Sequence, residues 1–183
     1  MRIIAGRSKG RVLETIKGIN TRPTSDRVKE SMFSIIQGNI EGSVVLDLFA
    51  GTGNLGLEAL SRGASKAVFV DQDIKAIQAI KRNSQNLGYE AQSEVYRNDA
   101  RRALTELRKR DIVFNIIFID PPYMKCYEET LLSLIDDLDI LHREGIIIME
   151  HDIKTSLSQR VANLHCYDKR KYGGTGLSLY RKE

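Results

Sequence analysis

Val44-Val45-Leu46-Asp47-Leu48-Phe49-Ala50-Gly51-Thr52-Gly53-Asn54-Leu55-Gly56 is the stretch that decides the fold. Its first half is a continuous apolar run, broken only by Asp47, of the length and composition of a buried strand. Gly51, Gly53 and Gly56 follow at G-x-G-x-x-G spacing and lead into a helical pattern. Glycines between a strand and a helix permit a tight turn and let a ligand lie against bare backbone. Alone, the stretch also fits a glycine-rich structural turn or a dinucleotide-binding loop.

Downstream, strands and helices alternate. A strand at Ala67 to Val70 precedes a helix from Asp73 to about Asn86, with Ile74, Ile77 and Ile80 spaced three apart. A strand near Glu94 to Arg97 leads to a helix with Ala100, Ala103, Leu104 and Leu107 on one face. Ile116 to Ile119 is the next strand, followed by a helix carrying Leu131, Leu134, Ile135 and Leu138. Another strand spans Ile146 to Met149, and the tail reads as two strands joined near Gly173-Gly174. Apolar strands alternating with helices predict a parallel sheet covered on both faces, and right-handed crossovers make it doubly wound. Upstream, Arg2 to Ile16 reads as two short strands around Arg7-Ser8-Lys9-Gly10. Turn and cap residues at 21–26 then precede a helix whose buried stripe is Val28, Met32, Ile35 and Ile36. The expected organisation is a basic hairpin extension over residues 1–20 and one α/β domain over 21–183.

Composition narrows the class. At 183 residues, with 42% hydrophobic and 28% charged residues, the chain suits one globular domain with a small appendage. No apolar run approaches the roughly 20 residues of a membrane helix. Arg7, Lys9 and Arg11 come before any signal-peptide core could form, so a cytoplasmic protein is expected. Cys126 and Cys166 make no C-x-x-C pair and the three histidines do not cluster, so no metal site is expected. The formal net charge of +4 is segregated: residues 1–29 carry eight basic and two acidic side chains, or +6, leaving −2 for the remainder. A basic end on a near-neutral body suggests a polyanion-docking element, the plainer alternative being a solvated terminus.

Four acidic positions sit where chemistry would need them. Asp47 lies inside the strand before the glycines, where a carboxylate reaches the charged methionine end of S-adenosylmethionine. Asp71 closes the next strand 20 residues beyond Gly51, where an acid accepts hydrogen bonds from ribose hydroxyls. Asp99, in Asn98-Asp99-Ala100, is either an adenine contact or a helix cap. Phe118-Ile119-Asp120-Pro121-Pro122-Tyr123 closes the fourth strand of the alternating region. Sheet order reverses between that strand and the first, so Asp120 is expected beside the glycine loop. Its carboxylate and a backbone carbonyl can accept both protons of a planar amine. The prolines remove backbone donors and stiffen the segment, and the Tyr123 ring can stack on a base.

With Arg22-Pro-Thr-Ser-Asp-Arg-Val-Lys-Glu30 and Lys171-Tyr-Gly-Gly-Thr-Gly-Leu177, these motifs resemble the bacterial 16S rRNA (guanine-N2-)-methyltransferase D family, RsmD, over nearly the whole chain. Asp71 stands where that family commonly has Glu, and Gly176 where it commonly has a β-branched or small residue. The resemblance implies a Rossmann-like, mostly parallel seven-stranded sheet and a monomer. It also implies transfer of a methyl group from S-adenosylmethionine, with S-adenosylhomocysteine as product, to the exocyclic amine of a guanine. The acceptor would be 16S rRNA, free or in an assembling small subunit, with no metal and no membrane. The expected catalytic residues are Asp120, Pro121, Pro122 and Tyr123. Expected cofactor contacts are Thr24, Asp47, Phe49, Ala50, Gly51, Gly53, Asp71, Gln72, Asp99 and Ala100. Arg2, Arg7, Lys9 and Arg11, on a hairpin projecting beside the site, and Lys169, Arg170 and Lys171 in the tail are the expected RNA contacts.

The rival within the chemistry is a DNA adenine or cytosine amino-methyltransferase, against which 183 residues are expected to leave no room for a sequence-reading domain. Glutamine methylation of a protein is disfavoured by the basic N-terminus. A non-catalytic RNA-binding protein on the same fold would not need Asp47, Gly51, Gly53, Asp71 and Asp120 intact. An NAD-dependent oxidoreductase leaves Asp-Pro-Pro-Tyr unexplained.

Overall fold

The computed structural model describes residues 1–16, 26–121 and 127–183. Strands β1 (Val44–Asp47), β2 (Lys66–Asp71), β3 (Ser93–Arg97), β4 (Phe114–Ile119) and β5 (Leu141–Asp152) run parallel. Beyond β5 the sheet turns antiparallel through β8 (Thr175–Lys182), β7 (Leu164–Tyr172) and the two-residue β6 (Arg160–Val161). The order is β3-β2-β1-β4-β5-β8-β7-β6. Among the described residues the expected seven strands become eight, because β6 adds a short edge ladder. Strand order reverses between β1 and β4, which fixes the crevice at their carboxyl ends.

Among the described residues, five α-helices cover the two faces. One face carries α1 (Asp26–Ile35), α2 (Asn54–Ser61) and α3 (Ile74–Leu87); Val28, Met32, Phe33, Leu57, Leu60 and Ile80 pack there on Val45, Phe69, Phe118 and Leu177. The other carries α4 (Ala100–Lys109) and α5 (Tyr127–Asp137); Ala103, Leu104, Leu131 and Ile135 pack on Leu46, Val68, Ile117 and Ile147. Adjacent strand residues therefore face opposite cores, which is why β1, β2 and β4 read as unbroken apolar runs. The α4 stripe falls as expected. In α3 the stripe is shifted, since Ile74 is 45% exposed while Ala76, Ile77, Ala79 and Ile80 are buried. The reason is that a period of 3.6 carries an i, i+3, i+6 series off the buried face.

The N-terminal segment is hairpin-like, but its ladder is a single antiparallel bridge, Arg2 to Val12, supported by Ile3 N–H to the Arg11 carbonyl and Leu13 N–H to the Met1 carbonyl. It does not project. Ile3 and Leu13 are buried in the first core, and the segment lies along α2. Met1 meets Thr52 at the start of α2, whereas Arg7 N–H reaches the Ser61 carbonyl at its end. The tip holding Arg7 and Lys9 is thus at the opposite edge of the sheet from the crevice. No described helix is long and apolar enough to cross a membrane.

Candidate active site

Three acids converge at the carboxyl edge on adjacent strands. Asp47 of β1 is level with Phe69 of β2 and Phe118 of β4, so Asp71 and Asp120 each lie two residues above it on either side. Asp47 is 3% exposed, and its Oδ2 accepts the Gly56 N–H at 2.9 Å. Burial pushes its carboxyl up to about 7; the Gly56 hydrogen bond opposes the shift, and nearby Asp71 adds to it. A buried carboxyl held near neutrality is well placed to ionise when a cation arrives.

Asp71 shapes the loop itself. Its Oδ2 accepts the Gly51 N–H at 2.9 Å and its Oδ1 the Asp73 N–H at 2.9 Å. The same carboxylate thereby holds the glycine turn and leads into α3, where Asp73 caps through the Lys75 N–H at 2.8 Å. The glycines divide the work. Gly51 has φ of +53°, and a Cβ there would meet nothing within 4 Å, so its backbone borders open space. Gly56 has a packing role, because a Cβ would come within 2.3 Å of the Phe69 ring. Gly53, at φ +82°, supplies the left-handed turn into α2.

Of the remaining expected cofactor residues, Phe49 is half-buried and meets the Tyr127 ring edge-on at 6.1 Å. Ala50 is buried, with its N–H on the Val70 carbonyl at 3.0 Å. Gln72 is exposed and its carbonyl accepts from Arg97. Asp99 is a helix cap: its Oδ1 accepts the Arg101 and Arg102 N–H groups ahead of buried Ala100. That bond leaves Oδ2 outside the cap. Asp120 is half-buried and Pro121 buried at the end of β4. Pro122, Tyr123 and Thr24 lie outside the described residues, as do the Arg22-Pro23-Thr24 motif and Cys126.

The expected RNA contacts are scattered. Arg2 pairs with Asp26 at 3.2 Å, Arg11 donates to the Asn86 carbonyl at 2.7 Å, and Arg7 lies 5.5 Å from the Tyr89 ring centroid. In the tail, Lys169 donates to the Leu157 carbonyl at 3.0 Å and Arg170 grips Asp168 through two nitrogens. Lys9 and Lys171 are exposed.

Lys29 departs from its reading as part of the basic surface. It is wholly buried, and its ammonium donates to the Arg2 carbonyl at 2.6 Å and Asn54 Oδ1 at 2.8 Å, and pairs with buried Glu58 at 3.1 Å. Burial lowers its pKa against the pull of Glu58. Glu58 also accepts the Ile4 and Ala5 N–H groups and Arg62 Nε. One buried charge cluster therefore ties the N-terminal segment, α1 and the start of α2 behind the glycine loop. The signal was available, since Lys29 shares the helix face of Met32, Phe33 and Ile36.

The family described as "Conserved hypothetical protein 95" matches this chain over residues 1–181. A Bacillus subtilis (strain 168) relative named "Putative rRNA methyltransferase YlbH" is 47% identical over 182 residues, covering 100% of this chain and 99% of the relative. "Ribosomal RNA small subunit methyltransferase D" of Escherichia coli (strain K12) is 33% identical, covering 100% and 90%. A solved structure described as "Putative methyltransferase yhhF from Escherichia coli" superposes with a TM-score of 0.89 at 33% identity, over 100% of this chain and 98% of that one. The chain belongs to the ribosomal RNA small-subunit methyltransferase D family.

Proposed function

We propose that this enzyme methylates the exocyclic N2 amine of a guanine in small-subunit rRNA, using S-adenosylmethionine. The observation that carries the reading is the convergence of Asp47, Asp71 and Asp120 around the open face of Gly51. The residues fit that cofactor. Gly51 leaves the space a ligand backbone needs, Asp71 keeps acceptor capacity for ribose hydroxyls, and buried Asp47 would balance an α-amino cation. The rRNA assignment draws on the name of the Escherichia coli relative.

When bound, the cofactor supplies an electrophilic methyl group on a sulfonium. The residues of the chain then have to hold a weak nucleophile in line with it. The lone pair of a guanine amine is delocalised into the ring. Accepting its protons at Asp120 Oδ and a neighbouring carbonyl returns electron density to nitrogen, and positioning supplies most of the acceleration. The released proton leaves through Asp120 to solvent, which the half-exposed position of that residue allows. Pro121 fixes the end of β4, and Pro122 and Tyr123 are assigned the rigid platform on which the base stacks. A base inside a helix cannot enter such a crevice, so the target must be unpaired or flipped.

The test offers labelled S-adenosylmethionine with naked rRNA, small ribosomal subunits or DNA. Label on an rRNA guanine is expected; label on DNA alone, or on none of the three, removes the assignment.

A further inference from the structure

A cavity of about 300 Å³ lies between the first turn of α1 and the β7–β8 turn, lined by Arg27, Val28, Lys171, Tyr172 and Gly173. We propose that it is a second RNA subsite, in which Arg27 and Lys171 take backbone phosphates and Tyr172 stacks on a base next to the target. The proposal rests on the function argued above and adds Arg27 and Tyr172 to its substrate contacts.

Topology brings the cavity to the reacting edge. Ile119 of β4 is level with Met149 of β5, and β5 continues to Asp152, which pairs with Thr175 at the start of β8. The turn at Gly173 therefore stands three residues above the Ile119 level and two strands across. At ~3.3 Å per residue and ~4.8 Å per strand, that is about 15 Å, the reach of a few nucleotides. The N-terminal tip, by contrast, is at the far edge of the sheet.

Charge and chemistry agree with position. Among the described residues, Arg27 and Lys171 make no ion pair, whereas Arg2, Lys169 and Arg170 are engaged with their own neighbours. Both side chains are exposed. Helix stability gives no reason for a cation at Arg27, because the first turn of a helix favours acids. Tyr172 is fixed rather than loose. Its half-buried ring packs against the α1 core, and its hydroxyl hydrogen-bonds the Ser31 hydroxyl. Two cations that make no ion pair among the described residues, beside a braced aromatic ring, are what a single strand requires, with charge for phosphates and a π-face tolerant of any base.

The experiment measures binding of a short single-stranded RNA oligonucleotide at several salt concentrations, with S-adenosylhomocysteine affinity as the control for folding. For Arg27→Ala/Lys171→Ala, RNA affinity should fall about tenfold or more at moderate salt. The log–log salt slope should shrink by roughly 1.4, two phosphates at ~0.7 each. Tyr172→Leu should weaken binding roughly 5- to 100-fold with the slope kept, while Tyr172→Phe stays near wild type. S-adenosylhomocysteine should bind all variants alike. A wild-type protein that methylates RNA, paired with a double variant of unchanged slope, overturns the subsite alone. A wild type that methylates no RNA overturns the function on which it rests.

Discussion

Asp120 and Asp71 stand at the same sheet edge but should fail in different ways. Asp120→Ala is predicted to leave S-adenosylhomocysteine affinity nearly intact while single-turnover transfer falls about a hundredfold or more, because only the reacting amine loses its acceptor. Near-normal transfer removes Asp120 from the chemistry. Asp71→Ala is predicted to weaken cofactor binding by roughly 1–3 kcal/mol by calorimetry, through lost charge-assisted hydrogen bonds and release of the Gly51 N–H. Asp47 gives a pH signature. Its folded-state carboxyl, at about 7, holds a proton more tightly than its ordinary value of 3.8. Folding therefore takes up a proton in that window, and the contribution of Asp47 to stability is lost as pH rises from about 4 through about 7. Without ligand, Asp47→Asn should melt higher than wild type at pH 8 and show a smaller gain at pH 5. A bound α-amino cation favours the ionised form, so wild-type cofactor affinity should rise between pH 6 and 7.5, a rise the Asn variant lacks. Parallel melting curves across this range would show that Asp47 does not titrate there.

The elements differ in how far the sequence revealed them. Continuous apolar runs place β1, β2 and β4 to within two residues at each end, because both faces of those strands are buried and no alternation is needed. The strand β5 starts at Leu141, five residues before its apolar run, since its first part pairs across an irregularity with β4 and is largely exposed. From sequence Asp99 reads equally as a helix cap or a cofactor contact; in the structure its Oδ1 caps α4 and its Oδ2 takes no part in the cap. The Lys29–Glu58 cluster was illegible as a pair because its partners lie far apart in sequence and charge counting placed Lys29 on the surface. Its energetics follow from burial. Lys29→Met leaves buried Glu58 with Arg62 as its remaining cation, and should cost about 3 kcal/mol in urea denaturation, the low end for a broken buried pair. Adding Glu58→Gln should cost less than the sum of the two single changes. Additive losses would mean that the two side chains act independently.

At the scale of the whole molecule, the distribution of charge separates what a short RNA can sense from what a long one can. Glu58 and Lys29 neutralise each other inside, so part of the +6 of residues 1–29 never faces solvent. Among the described residues, the exposed cations of this segment stand at two edges. Arg27 stands near the crevice, whereas Arg7, Lys9 and Arg11 stand by Ser61, Tyr89 and Asn86 at the far end of α2 and α3. The eight residues of α2 set the tip a further ~12 Å below Met1 and Thr52, in the direction away from the crevice and from the Gly173 turn, so a short strand running from the crevice to that turn does not pass it. Bonding to a carbonyl or lying over a ring leaves a guanidinium its full charge, so these three side chains can still meet phosphates on a substrate large enough to wrap the first face. Arg7→Ala/Lys9→Ala/Arg11→Ala is therefore predicted to bind a short oligonucleotide like wild type, yet lose affinity for full-length rRNA or small subunits. On those substrates its log–log salt slope should shrink by roughly 2, at ~0.7–0.9 per phosphate. S-adenosylhomocysteine affinity should not change, because Asp47, Gly51 and Asp71 are untouched. The measurement is binding of short and long substrates across a salt series. Equal losses on both would place the tip at the crevice, against the packing of the segment along α2. No loss on either would leave its charge as a solvated face.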